Sequence, residues 1–238
     1  MANIAALNNI QHKDLRVMTQ QGKRFGDDAI LVNAFPMEFF RLQAHYPIVF
    51  RKTEQGLSFE AFALLGFAAG ENLFLKDDSW DADYIPLAIQ RQPFLIGRSG
   101  DQLAVHIDLD NQRVRQAGNE GEALFLPHGS PTPYMDKVNS ILLAIHQGME
   151  GAPAFAKALM DHDLLESFVY DIQFDYGERY RLDGFYTIKE EKLRALDAAA
   201  LDALHRAGNL QAIYMALASM GNFGNLIARK NRLHAAAR

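Results

Sequence analysis

The sequence predicts an α+β fold: a mainly antiparallel sheet built from a duplicated hairpin-plus-strand unit, with a helical C-terminal part. Two observations carry that reading. The first is a repeat, in which Gly70-Glu71-Asn72-Leu73-Phe74-Leu75 returns as Gly121-Glu122-Ala123-Leu124-Phe125-Leu126. The first copy is preceded by Pro47-Ile48-Val49-Phe50, a polar turn with Gly56 and an apolar run from Leu57. The second is preceded by Pro93-Phe94-Leu95-Ile96, a polar turn with Gly100 and a run from Leu103. Each copy therefore reads as an apolar strand, a glycine turn, a return strand and a closing Gly-Glu-x-Leu-Phe-Leu strand. The second observation is a change of period after Pro131, where apolar residues begin to recur at helical spacing. Residues 1–130 are expected to form a strand-rich part and residues 131–238 a helix-rich part with one hairpin, the second packed on the first as one compact unit.

Taken in order, Leu15-Arg16-Val17 is a short strand and Ala29 to Val32 a buried one. Asn33 to Tyr46 has helical spacing, with Pro36 in its first turn and Phe35, Phe39 and Phe40 assigned to the core. Trp80 to Arg91 is a loop leading into a short helix, with Asp83 near its start. Gln102 to Asp110 alternates: Leu103, Val105, Ile107 and Leu109 face one way, and Ala104, His106, Asp108 and Asp110 the other. Thr132 caps a helix with Pro133 at its first position and Val138, Ile141, Leu142 and Ile145 as its stripe, ended by Gly148 and Gly151. A short helix from Pro153 to Asp161 follows, then a hairpin of Leu165–Phe174 and Tyr180–Tyr186. Thr187 to Glu190 spells a capping box, and Asp197 caps another helix that stops at Gly208. Asn209 caps the last helix, with Leu210, Ile213, Tyr214, Leu217 and Met220 as its buried face.

These residues also resemble a family. Glu38-Phe39, Tyr46-Pro47-Ile48-Val49-Phe50, Gly70-Glu71-Asn72-Leu73-Phe74, Trp80-x-x-x-Tyr84-Ile85-Pro86, Arg91-x-Pro93-Phe94 and Gly121-Glu122-x-Leu124-Phe125 are similar to the bacterial SapC family. The similarity continues through Leu182-Asp183-Gly184-Phe185-Tyr186-x-Ile188-x-Glu190-x-Lys192-Leu193 and spans nearly the whole chain. The family is named for a component linked to a bacterial surface layer, and its relatives are often encoded near outer-membrane receptors and flavin-dependent halogenase-like proteins. The resemblance implies no particular reaction and no catalytic residues.

Composition narrows the function classes. A chain of 238 residues, 49% hydrophobic and 22% charged, is ordinary for a globular protein. A net charge of −5 argues against a general nucleic-acid binder. There is no cysteine, which removes disulfides, thiolate nucleophiles, zinc fingers and cysteine-held clusters, and fits a reducing compartment. The N-terminal residues lack the cationic and apolar regions of a signal peptide. The apolar run Phe59 to Ala69, broken by Glu60 and Gly66, is too short to span a bilayer. A soluble cytoplasmic protein is the expectation.

Two residue sets stand out. Trp80, Asp81, Asp83, Tyr84 and Arg91 combine the aromatics and arginine that dominate binding hot spots. The same set also reads as a loop anchored by Trp80 and an Asp–Arg91 pair, the commoner fate of large aromatics. His106-x-Asp108 puts an imidazole and a carboxylate about 7 Å apart on one strand face. With a third ligand from His128, His146 or His162, that is the facial triad of iron(II) oxygenases using 2-oxoglutarate. Its competing reading is the solvated face of an edge strand.

The basic tail, Arg229, Lys230, Arg232 and Arg238, complements a helix dipole. A helix-turn-helix over Asp197 to Met220 has no lysine or arginine in its would-be reading helix. Phosphate-binding loops, dinucleotide fingerprints and a nucleophile elbow are all missing from the sequence. The expectation is a non-catalytic binding or accessory protein with a peptide or protein partner and no cofactor. The rivals are the His106/Asp108 oxygenase and a structural component of a surface layer.

Overall fold

The fold comes from a computed structural model that describes residues 3–99, 102–116 and 118–236. Met1, Ala2, the Gly100 turn and Arg238 lie outside the described residues. In chain order the elements are β1 (Ile4–Ala6), β2 (Arg16–Val17), β3 (Leu31–Asn33), α1 (Phe39–Leu42), β4 (Ile48–Lys52), β5 (Phe59–Leu64), β6 (Leu75–Lys76), β7 (Ser79–Trp80), α2 (Leu87–Gln90), β8 (Phe94–Ser99) and β9 (Gln102–Asp108). There follow β10 (Val114–Arg115), β11 (Glu122–Ala123), α3 (Pro133–Asp161), β12 (Leu165–Gln173), β13 (Arg179–Ile188), α4 (Glu190–Arg194), α5 (Ala198–Arg206), α6 (Asn209–Ser219) and α7 (Asn222–Ala236). The sheets are antiparallel and the C-terminal part is helical, an α+β fold.

The contacts gather into two units whose segments interleave along the chain. One holds Met1–Asp27, Leu75–Asp81 and Leu87–Gln147; the other holds Asp28–Phe74, Ala82–Pro86 and Gly148–Arg238.

In the first unit β9 runs between β1 and β8, so it is a middle strand and not an edge. Leu15, Val17, Phe94, Ile107, Leu124, Val138 and Leu142 form its core. Thr132 caps α3 as its sequence predicts, its hydroxyl accepting the Met135 N–H at 3.3 Å. Beside the core lies a charged residue that the sequence did not mark. Arg113 is 2% exposed and faces a fully buried Asp27. Its guanidinium also donates to the Gln20 carbonyl and to Gln21 Oε1, and stacks 4.7 Å over Phe25. Asp27 in turn accepts the Gly22 N–H at 2.8 Å.

The second unit is organised on the sheet order β12-β13-β4-β5-β3. Phe39, Phe50 and Phe155 pack with centroids 5.9–6.5 Å apart. Buried Ser219 accepts the Ile48 N–H at 2.8 Å, and Asn222 donates to the Gln43 carbonyl at 2.8 Å, fixing the start of β4. The β12–β13 hairpin holds the register Phe168↔Phe185 and Tyr170↔Leu182. Asp183 and Gly184 together therefore oppose the single residue Val169, and Gly184 takes φ +77 to make that bulge.

Several expectations change. The two hairpins recur as β4–β5 and β8–β9, but the closing Gly-Glu-x-Leu-Phe-Leu segments are not equivalent strands. Glu71 folds back so that its carboxylate accepts the Phe67 N–H at 2.8 Å, whereas Glu122 and Ala123 pair with β2. Gly148 and Gly151 do not end α3, which continues through Pro153. A Cβ on Gly148 would come within 2.6 Å of the Phe35 ring, so the glycine serves packing there, at a helix cost of only about 1 kcal/mol.

Phe40 is 61% exposed, and on α6 the buried residues are Ala212, Ile213, Ala216 and Ser219 while Tyr214 is exposed. Thr187 makes no capping box because it stays in the ladder opposite Glu166. Gly208, not Asn209, holds the N-cap position of α6, whereas Asp197 caps α5 through the Ala200 N–H at 2.8 Å. The basic tail is drawn into packing: Arg229 lies 4.4 Å over Phe74, and Lys230 pairs with Glu71.

Two tests follow from this packing. Gly184→Ala meets open space and costs only the left-handed backbone, about 1–2 kcal/mol. Gly121→Ala costs more, because its Cβ would sit 2.6 Å from the Val17 carbonyl oxygen as well as at φ +84. Denaturant unfolding of both variants checks that order, and equal losses would refute it. Burial also pushes the Tyr134 phenol up to about 12. The folded state favours the neutral phenol, so its stabilisation is full below the ordinary value near 10 and fades as pH rises towards about 12. Tyr134→Phe is expected to flatten the fall in unfolding free energy across that window, measured by urea unfolding at successive pH values.

Candidate functional site

The five residues marked for recognition fall in different units. Trp80, Asp81 and Arg91 belong to the first unit, Asp83 and Tyr84 to the second. Trp80 pairs across β6–β7 with Leu75, and both Trp80 and Asp81 engage partners within the chain. Arg91 closes α2 by donating from Nη1 to the Phe94 carbonyl at 2.9 Å, while Phe94 N–H donates back to the Arg91 carbonyl at 2.7 Å. The Gln92–Pro93 bond between them is cis. Burial lowers the guanidinium pKa from its usual value. The Arg91-x-Pro93-Phe94 motif thus builds the entry into β8.

In the second unit the Tyr84 hydroxyl donates to Glu38 Oε1 at 2.8 Å. The Tyr46 hydroxyl donates to the Tyr84 carbonyl, and Arg41 lies 5.1 Å over the Tyr84 ring. Burial first, then the charge of Glu38, holds the Tyr84 phenol far above its ordinary pKa. Two separate family motifs, Glu38-Phe39 and the Tyr84 stretch, therefore meet in one bond. Asp83 is exposed.

His106 and Asp108 lie on β9, where His106 has Ala6 on one side and Leu95 on the other. The His106 ring rests on Gly97, and its Nδ1 sits 3.2 Å from the Ala104 carbonyl. Asp108 accepts the Asp110 N–H at 3.2 Å. Among the described residues no group of three His, Asp or Glu side chains converges. Within the first unit His128 and His146 therefore bring no third ligand, and the residues described there do not fit a facial-triad iron; His162 belongs to the other unit.

What the second unit does present is an edge. β12 stands at the end of its sheet, pairing only with β13 among the described residues. Its nine residues reach about 30 Å, and alternate residues aim N–H and C=O outward. Val169 is 49% exposed and Tyr170 39%, while Tyr170 and Phe168 rest on Phe223 of α7. Glu166 and Asp171 are exposed, and Asp171 pairs loosely with Arg181 at 3.6 Å. The sequence showed this hairpin but not its place at the end of the sheet, because order in a sheet is set by contacts distant in sequence. The glycine inside the Leu182-Asp183-Gly184-Phe185-Tyr186 run was the available signal, since a glycine in a strand marks a bulge.

No helix among the described residues is long and apolar enough to cross a membrane. No curated protein and no solved structure matches the chain. The family model for SapC matches residues 7–226. The chain belongs to the SapC family.

Proposed function

We propose that this chain is a non-catalytic binding or accessory protein that takes an extended segment of a peptide or protein partner along the outer edge of β12. The carrying observation is the unpaired nine-residue edge, backed by aromatic packing on α7 and open to solvent at Val169. An edge of that length offers a row of backbone donors and acceptors that an added strand satisfies, with pockets beside alternate side chains for specificity. Glu166 and Asp171 favour a segment carrying lysine or arginine opposite them. Trp80, Asp81, Tyr84 and Arg91 all have partners within the chain, which favours a supporting role for them. The lack of cysteine fits work in a reducing compartment.

The test selects binders from a displayed library of short peptides and maps them by hydrogen exchange. Selected peptides are expected to slow exchange of β12 amides and to be enriched in lysine, arginine and β-branched residues. Val169→Lys is expected to weaken them at least about tenfold while changing stability by less than about 0.5 kcal/mol. Protection confined to other segments, binding indifferent to Val169→Lys, or occupation of the edge by a second copy in sedimentation would reject the reading.

A further inference from the structure

The last helix carries a second candidate site, away from the β12 edge. Residues 228, 231, 232 and 235 share one face of α7 by their spacing. Between that face and the β12–β13 turn lies a groove of about 520 Å³. Ala228 and Ala235 are small enough to leave the space open. His234 forms one wall, stacked on Tyr176 with centroids 3.8 Å apart, and Tyr176 stacks in parallel on Phe174 at 5.4 Å.

Among the described residues, several polar groups here keep donor capacity to spare. Asn231 uses its Oδ1 on the Asp175 N–H at 3.1 Å, which turns its amide N–H₂ to other use. Arg232 lines the groove and forms no ion pair among the described residues, unlike its neighbour Lys230, which Glu71 engages. His234 Nε2 is shielded from solvent and meets no partner among the described residues. That nitrogen is thus closed off, and His234 contributes its ring as a wall rather than a donor to the groove. Two carboxylates bound the charge the groove accepts: Asp175 lines it, and Glu178 adds to burial in raising the Tyr176 phenol pKa.

We propose that this groove binds a carboxylate carried on a planar or aromatic body. Arg232 and the Asn231 amide donate to the carboxylate oxygens, and the Tyr176–His234 stack meets the ring. A single guanidinium beside Asp175 suits one negative charge rather than the two of a phosphate. A free aromatic acid and an aromatic residue at a peptide's C-terminus share this chemistry.

Benzoate and N-acetylphenylalanine, each compared with its amide, separate the two sources when titrated into the full chain while the His234 ring protons are followed by NMR. Both acids are expected to move those signals saturably at millimolar concentration. Tighter binding of N-acetylphenylalanine assigns the peptide terminus, and tighter binding of benzoate the free acid. The amides, and Arg232→Gln with either acid, are expected to bind at least about tenfold more weakly. Arg232 is exposed, so the substitution leaves folding intact, and circular dichroism checks this. Shifts that do not saturate, amides that bind as well as acids, or an Arg232→Gln variant that binds undiminished would overturn the proposal. None of these results touches peptide binding at β12, which hydrogen exchange reads separately.

Discussion

A carboxylate taken out of water must be met by donors, and three carboxylates impose that demand on this chain. Asp27 is fully buried and Glu38 is 3% exposed, while the Glu71 side chain keeps 13% of its surface. Leaving such a charge unmet costs several kcal/mol, more than most single apolar contacts return. Each therefore takes at least one donor from a distant part of the sequence. Asp27 takes Arg113 and the Gly22 N–H; Glu38 takes the Tyr84 hydroxyl; Glu71 takes the Phe67 N–H and Lys230. These bonds dictate where the irregular segments run, since loops 20–27, 66–74 and 82–86 carry little regular pairing of their own.

The same demand draws in Tyr84, one of the residues most suggestive of a binding surface. Tyr84 and Arg91 have the chemistry of interface residues, yet each is engaged by its own unit. The groups the fold leaves unmatched lie elsewhere, on the backbone of an outer strand and among the polar side chains of the last helix, and the two proposed sites rest on them. Both belong to the unit built on the β12–β13 hairpin, whose turn is tied to α7 through the Asp175–Asn231 bond and the Tyr176–His234 stack.

Much of the architecture was legible because local rules were obeyed. Thr132 and Asp197 cap the helices they precede, and both hairpins of the duplication form where alternation and glycine turns place them. The failures share a cause. Gly148 reads as a stop until Phe35 is found against it, and Thr187 reads as a cap until Glu166 is found opposite. Arg113 looks like any surface arginine, and its partner lies 86 residues upstream. The identical hexapeptide pattern could not reveal that Glu71 turns inward and Glu122 outward, because the difference rests on the partners that Glu71 finds at Phe67 and Lys230. The β12 edge was the least legible feature, since exposure at a sheet end is a property of the assembled fold.

The extra residue that β13 carries opposite Val169 also limits growth. Fibrils propagate when flat strands stack in register without end. A hairpin twisted at its middle offers a curved template, and a strand laid along it would inherit that curvature and present a poorer surface to the next arrival. The sheet end is thus a poor template for a growing stack, which offsets the aggregation risk of so long an edge.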